Sequence, residues 1–221
     1  FNFNISITSD LTLYAKWEIN QYTLSFDTSG GSIIDKMILD YGSPIDLTNL
    51  IPTRDGYSFA GWGDDVPSTM PAYDLTLKAE WNIVTYQIMY FVNDGVMPDN
   101  YITSYTIESN SFVLPLPTKN GYHFDGWYEL EDFTGYVVGM IAKGTCGTKV
   151  FYAKWTLINY KITYYLDGGI NSSSNPDTYT ILSSDIKLER PTKAGFTFIG
   201  WTSPTLDDLT MDVTIKAGST G

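Results

Sequence analysis

Pro52-Thr53-Arg54-Asp55-Gly56-Tyr57-Ser58-Phe59-Ala60-Gly61-Trp62 decides the fold, because the same pattern occurs three times in 221 residues. It returns as Pro117-Thr118-Lys119-Asn120-Gly121-Tyr122-His123-Phe124-Asp125-Gly126-Trp127. It returns again as Pro191-Thr192-Lys193-Ala194-Gly195-Phe196-Thr197-Phe198-Ile199-Gly200-Trp201. Self-similarity of this kind marks a repeat architecture, in which each copy is one supersecondary unit.

Two further signatures keep step with it. Leu13-Tyr14-Ala15-Lys16-Trp17 reappears as Leu77-Lys78-Ala79-Glu80-Trp81 and as Phe151-Tyr152-Ala153-Lys154-Trp155. Five residues after each of these tryptophans, a tyrosine (Tyr22, Tyr86, Tyr160) opens an alternating run. The opening tyrosines lie 64 and 74 residues apart, so each unit is a small domain and not one coil of a solenoid. From opening Tyr to Gly-Trp tryptophan the distances are 40, 41 and 41, whereas from Gly-Trp to closing Trp they are 19 in the first unit and 28 in the second. The extra length of the second unit therefore falls after Trp127, where a surface loop is expected.

The boundaries follow: residues 1–17 as the closing part of a preceding repeat, 22–81 as the first repeat, 86–155 as the second and 160–221 as the third, lacking its closing strand. Within a unit, the alternation from Tyr22 to Phe26 predicts a half-buried strand, and Asp27-Thr28-Ser29-Gly30-Gly31 a turn. A second strand is expected near Ile33–Leu39, a short helical piece over Ile45–Leu50, a third strand over Tyr57–Trp62 and a fourth over Leu75–Trp81.

Composition agrees with a mainly β chain: 43% apolar, 15% aromatic and only 17% charged, with 17 tyrosines. The balance of 13 basic against 25 acidic residues gives a net charge of -12. A field of that sign repels nucleic acid and anionic lipid, and acts as a solubility device. The one cysteine, Cys146, has no internal disulfide partner. No stretch has the length of a membrane span, and Phe1–Thr8 lack the pattern of a signal peptide.

All six tryptophans, Trp17, Trp62, Trp81, Trp127, Trp155 and Trp201, occupy just two repeat positions. Ligand platforms would be expected at one unit or at variable positions, so these residues read as core anchors, together with Tyr57, Tyr122 and Phe196.

The Pro-Thr-x-x-Gly-Tyr-x-Phe-x-Gly-Trp block, the opening Tyr with its Asp-Gly-Gly turn, and the closing Leu-Tyr-Ala-Lys-Trp together resemble the Listeria-Bacteroides repeat, the internalin B-repeat family. That resemblance implies small β-grasp-like α+β modules, in tandem, in secreted or wall-attached bacterial proteins, often adhesins, with no catalytic residue to carry over. The second unit departs from it at Asn93-Asp94-Gly95-Val96, where a Gly-Gly turn is expected.

Only four residues separate each closing Trp from the next opening Tyr, Glu18–Gln21, Asn82–Thr85 and Thr156–Asn159, and none is Gly or Pro. Flexible linkers need such residues, so an elongated, semi-rigid array on the order of 100 Å is expected. Because Asp10–Trp17 reads as a closing strand and the third unit stops where its own should begin, a fragment of a longer array is expected. The sharper alternative is a polymer in which copies associate head to tail by strand addition.

Candidates for chemistry are few. His123 takes a strand position held by Ser58 and Thr197 elsewhere, is expected to face water, and with one His and one Cys there is no zinc set or triad. Asp64-Asp65 and Asp207-Asp208 do not recur as a pair in the second unit, and read as solvated loops and not calcium sites. Asp167-Gly168-Gly169 leads into polar loop and not into a helix, so it is no phosphate cradle. No enzyme, cofactor or metal is expected. The leading reading is a structural stalk, spacer or fibre-forming segment of an extracellular bacterial surface protein. The alternative is an adhesin-type module binding a host or cell-wall ligand through the variable loops Gly63–Met70, Tyr128–Gly147 and Thr202–Gly218.

Overall fold

Alternating apolar and polar residues from each opening tyrosine place one face of a strand inward, and every sheet grows from that strand. The computed structural model describes residues 8–63, 65–204, 206 and 208–221, and the contacts divide the chain into units 1–84 and 85–221.

In the first unit, β1 (Gln21–Asp27), β2 (Met37–Asp40), β3 (Tyr57–Gly61), β4 (Leu75–Lys78) and β5 (Glu80–Ile83) follow in order. β1 is antiparallel to β2 and parallel to β4, while β3 pairs antiparallel with β5. The closing stretch thus serves two partners, breaking at Ala79 as it passes from β1 to β3. Leu24, Trp62, Met70, Leu77 and Ala79 form the buried centre, with Phe26, Phe59 and Trp81 packed against it. The turn after β1 is closed by Asp27, whose carboxylate accepts from the Ser29 amide, with Ser29 and Gly30 both at positive φ.

Two local expectations are corrected. Ile45–Leu50 forms no helix: Asp46 Oδ1 accepts from both the amide and the hydroxyl of Thr48, an Asx-type turn that competes with helical bonding, and Pro52 follows. The second strand begins at Met37 and not Ile33. Ser32 N donates to Thr53 O at 2.7 Å and Thr53 N to Ser32 Oγ at 2.9 Å, tying residue 32 to the Pro-Thr segment and leaving Ile33 exposed.

The second unit contains the second and third repeats. The second has β6 (Tyr86–Phe91), β7 (Ser104–Tyr105), β8 (Phe112–Val113), β9 (Tyr122–Tyr128), β10 (Met140–Ile141) and β11 (Lys149–Leu157). These form a four-stranded sheet in the order β7-β6-β11-β9 and a ribbon of β8 and β10. β11 runs parallel to β6 and antiparallel to β9, with a register shift between Lys154 and Trp155 that matches the shift at Glu80 and Trp81 in the first repeat. Ile88, Tyr105, Leu114, Trp127, Ile141, Phe151 and Ala153 are its buried centre. The inserted segment after Trp127 is largely exposed loop until Val138 bridges back to Trp127.

The third repeat has β12 (Tyr160–Lys161), β13 (Thr178–Tyr179), β14 (Ile186–Lys187) and β15 (Thr214–Ile215), paired β12 with β13 and β14 with β15. The chain is mainly β, and no helix occurs among the described residues.

Candidate functional site

The first two repeats assemble their aromatic residues alike. Trp62 and Trp127 are buried, and each donates its Nε1–H to the carbonyl twelve residues earlier, Leu50 O at 2.8 Å and Pro115 O at 2.7 Å. The closing tryptophans reach the far side of the opening strand's turn, Trp81 Nε1 donating to Thr28 O at 3.0 Å and Trp155 Nε1 to Val92 O at 2.9 Å. Each indole lies against a glycine: a Cβ added to Gly31 or Gly95 would stand 2.5 Å from the Cζ2 of Trp81 or Trp155. Phe59 sits between Trp62 and Trp81 with centroids 5.4 and 5.6 Å away, as Phe124 does between Trp127 and Trp155 at 5.4 and 5.2 Å. The signature alanines Ala79 and Ala153 are buried.

The third repeat shows part of this assembly among the described residues. Phe198 meets Trp201 edge-on at 5.2 Å, but Trp201 Nε1 is buried without an acceptor. The carbonyl in the equivalent place, Glu189 O, instead accepts from Asn175 Nδ2 at 2.8 Å, and Glu189 N donates to Asn175 Oδ1 at 2.7 Å. No described strand lies between the stretch beginning at Tyr160 and the one ending at Trp201. A groove of ≈ 890 Å³ runs there, lined by Tyr164, Tyr165, Gly169, Phe196, Phe198 and Trp201 among others.

The expected core residues therefore separate into groups. Trp62 and Trp127 are buried, and Trp81, Trp155 and Trp201 are partly buried. Trp17, expected in a core, is 92% exposed, because no described strand pairs with the segment that carries it. Phe196 is likewise exposed, and Tyr57 and Tyr122 are half-buried. These last three are platforms for a cation more than core anchors: Arg54 Cζ lies 3.9 Å from the Tyr57 ring centre, Lys119 Nζ 4.6 Å from that of Tyr122 and Lys193 Nζ 4.5 Å from that of Phe196. The signal was in the sequence, a basic residue three positions before the aromatic in every repeat, and each contact contributes roughly 0.5–1 kcal/mol at such exposed sites.

His123 is exposed, yet it has a titratable neighbour that the sequence reading did not give it: Nδ1 lies 2.9 Å from Asp125 Oδ1. The Thr156 hydroxyl first, and His123 second, hold the Asp125 carboxyl below its ordinary range. The carboxylate sits between hydroxyl and imidazole, so the imidazole is not placed to take the hydroxyl proton. Lys193 Nζ donates to Asp167 O at 2.6 Å and Oδ2 at 3.1 Å, occupying the glycine turn from outside. Cys146 is an exposed free thiol. Asp65 and Asp208 are exposed, while Asp64 and Asp207 lie outside the described residues, as do residues 1–7 of the expected preceding repeat. Among the described residues, no three His, Cys, Asp or Glu side chains are grouped to hold a metal, and no helix is long and apolar enough to cross a membrane.

Short β units that reuse one aromatic packing scheme define a tandem β-repeat protein. The sequence matches the Listeria-Bacteroides repeat domain at residues 22–80, 86–154 and 160–219, and the chain belongs to that family. It is 32% identical over 204 residues to a protein of Evansella cellulosilytica named "Putative membrane protein", covering 86% of this chain and 29% of that one. A "Putative Gly-rich membrane protein" of the same organism is 30% identical over 204 residues, covering 88% of this chain and 23% of that one. Internalin H of Listeria monocytogenes is 30% identical over 138 residues, covering 58% of this chain and 22% of its own length. The chain thus spans less than a third of each of these relatives. No solved structure is significantly similar to it.

Proposed function

We propose that the chain is a non-catalytic structural segment, a stalk or spacer, of an extracellular bacterial surface protein. The observation that carries this reading is that the recurring aromatic residues of the first two repeats are spent on the same internal contacts. Trp62 and Trp127 each bond a carbonyl, Trp81 and Trp155 each cover a glycine, and a phenylalanine is held between the two rings. A motif conserved within the chain for packing encodes architecture and not a ligand site.

The junction inside residues 85–221 supports a stiff connection. β11 runs to Leu157 and β12 opens at Tyr160, leaving two residues between them. Ile158 N donates to Gly121 O at 3.0 Å, and a Cβ on Gly121 would come within 2.6 Å of Ile181, so the second and third repeats meet in close contact. The names of the relatives support a membrane or surface setting.

X-ray scattering tests the spacer. A maximum dimension on the order of 100 Å is expected, and a radius of gyration near the roughly 17 Å of a compact globule of 221 residues counts against it.

A second reading, ligand binding by the loop Tyr128–Gly147, is favoured by one observation: the second repeat carries nine residues more than the first between its two motif tryptophans, and there Leu130, Tyr136 and Val137 are exposed. It requires that Tyr136→Ala reduce retention of the chain on purified cell-wall fragments, and equal retention removes it.

A further inference from the structure

We propose that the outer face of the four-stranded sheet in the second repeat binds a neutral polysaccharide, through a row of aromatic rings that crosses β6, β11 and β9. The proposal does not rest on the spacer reading, and its site is the sheet face and not the loop tip that carries Tyr136.

Two repeats with one packing scheme show which residues that face needs for folding. In β6, Met89 and Phe91 alternate with Ile88 and Tyr90 of the core. In β11, Val150, Tyr152 and Lys154 alternate with the buried Phe151 and Ala153, so both sets point away from the core. Across the parallel pair, Met89 stands opposite Val150 and Phe91 opposite Tyr152. The same register in the first repeat puts Ser25 opposite Thr76 and Asp27 opposite Lys78. Small polar residues, and an acid opposite a base, therefore suffice for the fold. The apolar side chains of the second repeat answer to something else, and Met89 and Phe91 stand 46% and 48% exposed.

The rings form a continuous row. Phe91 and Tyr152 stack at 4.9 Å and 12°. Tyr152 pairs in turn with Tyr128 on β9, and Phe133 meets Tyr128 edge-on at 5.8 Å. Three strands make the row about 10 Å long before Phe133 extends it, the span of a short oligosaccharide and not of one sugar.

Polar chemistry beside the rings sets the class of occupant. Lys154 Nζ lies 5.2 Å from the Tyr128 ring centre and 5.9 Å from that of Phe133, and the neighbouring Asp125 carboxylate, bonded to the Thr156 hydroxyl, supplies the opposite charge. Ammonium and carboxylate offset each other, so the row offers no net field to an ionic ligand, although the whole chain carries -12. The phenols of Tyr128 and Tyr152 and the Lys154 ammonium have no hydrogen-bond partner among the described residues. An occupant that suits them lays C–H groups on the rings and brings uncharged hydroxyls to the polar tips, which is the amphipathic surface of a pyranose chain.

The test is affinity electrophoresis of the 221-residue chain in native gels containing hydroxyethylcellulose, galactomannan or dextran, with alginate as the acidic comparison. Retardation by at least one of the neutral polymers is expected, and added salt should not remove it. The double variant Phe91→Asp with Tyr152→Lys installs the pair of the first repeat. It is expected to stay folded and to bind roughly tenfold more weakly or worse. Met89→Ser, likewise taken from the first repeat, is expected to weaken binding about threefold, and it decides the matter should the double variant unfold. Absence of retardation in every neutral gel overturns the proposal, as does retardation by alginate alone or retardation undiminished in the folded variants.

Discussion

Removing the indole of Trp127 should nearly abolish the stability of the second repeat, whereas the same change at Trp201 should cost much less. Trp127 is 2% exposed, its ring lies 5.1 Å from Tyr90 and 5.4 Å from Phe124, and its Nε1–H satisfies Pro115 O. Truncating such a side chain to Ala costs about 3–5 kcal/mol in lost transfer energy and cavity, and the orphaned carbonyl adds about 1 kcal/mol. A domain of some 70 residues has a total stability of roughly 4–10 kcal/mol, so Trp127→Ala removes half or more of it. Trp201 is only partly buried and bonds no carbonyl, so Trp201→Ala should cost about 2 kcal/mol or less. Urea denaturation gives the two losses, and amide hydrogen exchange assigns them: protection in β6 and β11 should collapse in Trp127→Ala while β1 and β4 keep theirs. Equal losses for the two variants, or a Trp127→Ala cost below about 1 kcal/mol, would refute the reasoning.

Other expectations follow from single contacts. Gly95→Ala puts a Cβ 2.5 Å from the Trp155 ring and 2.9 Å from Val92 O, and should cost about 1–3 kcal/mol by urea denaturation, whereas Gly139→Ala, with nothing within 4 Å, should be near neutral. Tyr90 has its phenol pushed up to about 12, by burial first and Tyr101 second. The folded state therefore holds the proton after the unfolded chain releases it, and this stabilisation, complete below about pH 10, is lost as pH rises towards 12. Denaturation midpoints should fall over that window, less steeply in Tyr90→Phe, and an unchanged slope in that variant would count against it. Asn175→Ala leaves the Glu189 amide without its side-chain acceptor and should cost about 1–3 kcal/mol by thermal denaturation, the loss sparing the first unit.

What could be read from the chain alone was whatever depends on neighbours in sequence. Alternation from the opening tyrosines located β1 and β6, the glycine clusters located turns that need positive φ, and the recurring aromatic blocks counted the repeats. The same local logic failed at Ile45–Leu50, where bonds donated by Thr48 to the Asp46 carboxylate outcompeted a helix that propensity allowed. It also missed Arg54, Lys119 and Lys193 over their aromatic rings, although the basic residue recurs three positions before the aromatic in every repeat.

Tertiary structure alone decided which tryptophans are inside. Trp81 and Trp155 sit in nearly the same local sequence, and their acceptors lie 53 and 63 residues away. Trp127 is buried because β11, far along the chain, covers it. Burial is a property of the pair of surfaces that meet, so a sequence pattern can show which face is ready to be covered, and only the folded chain shows whether anything covers it.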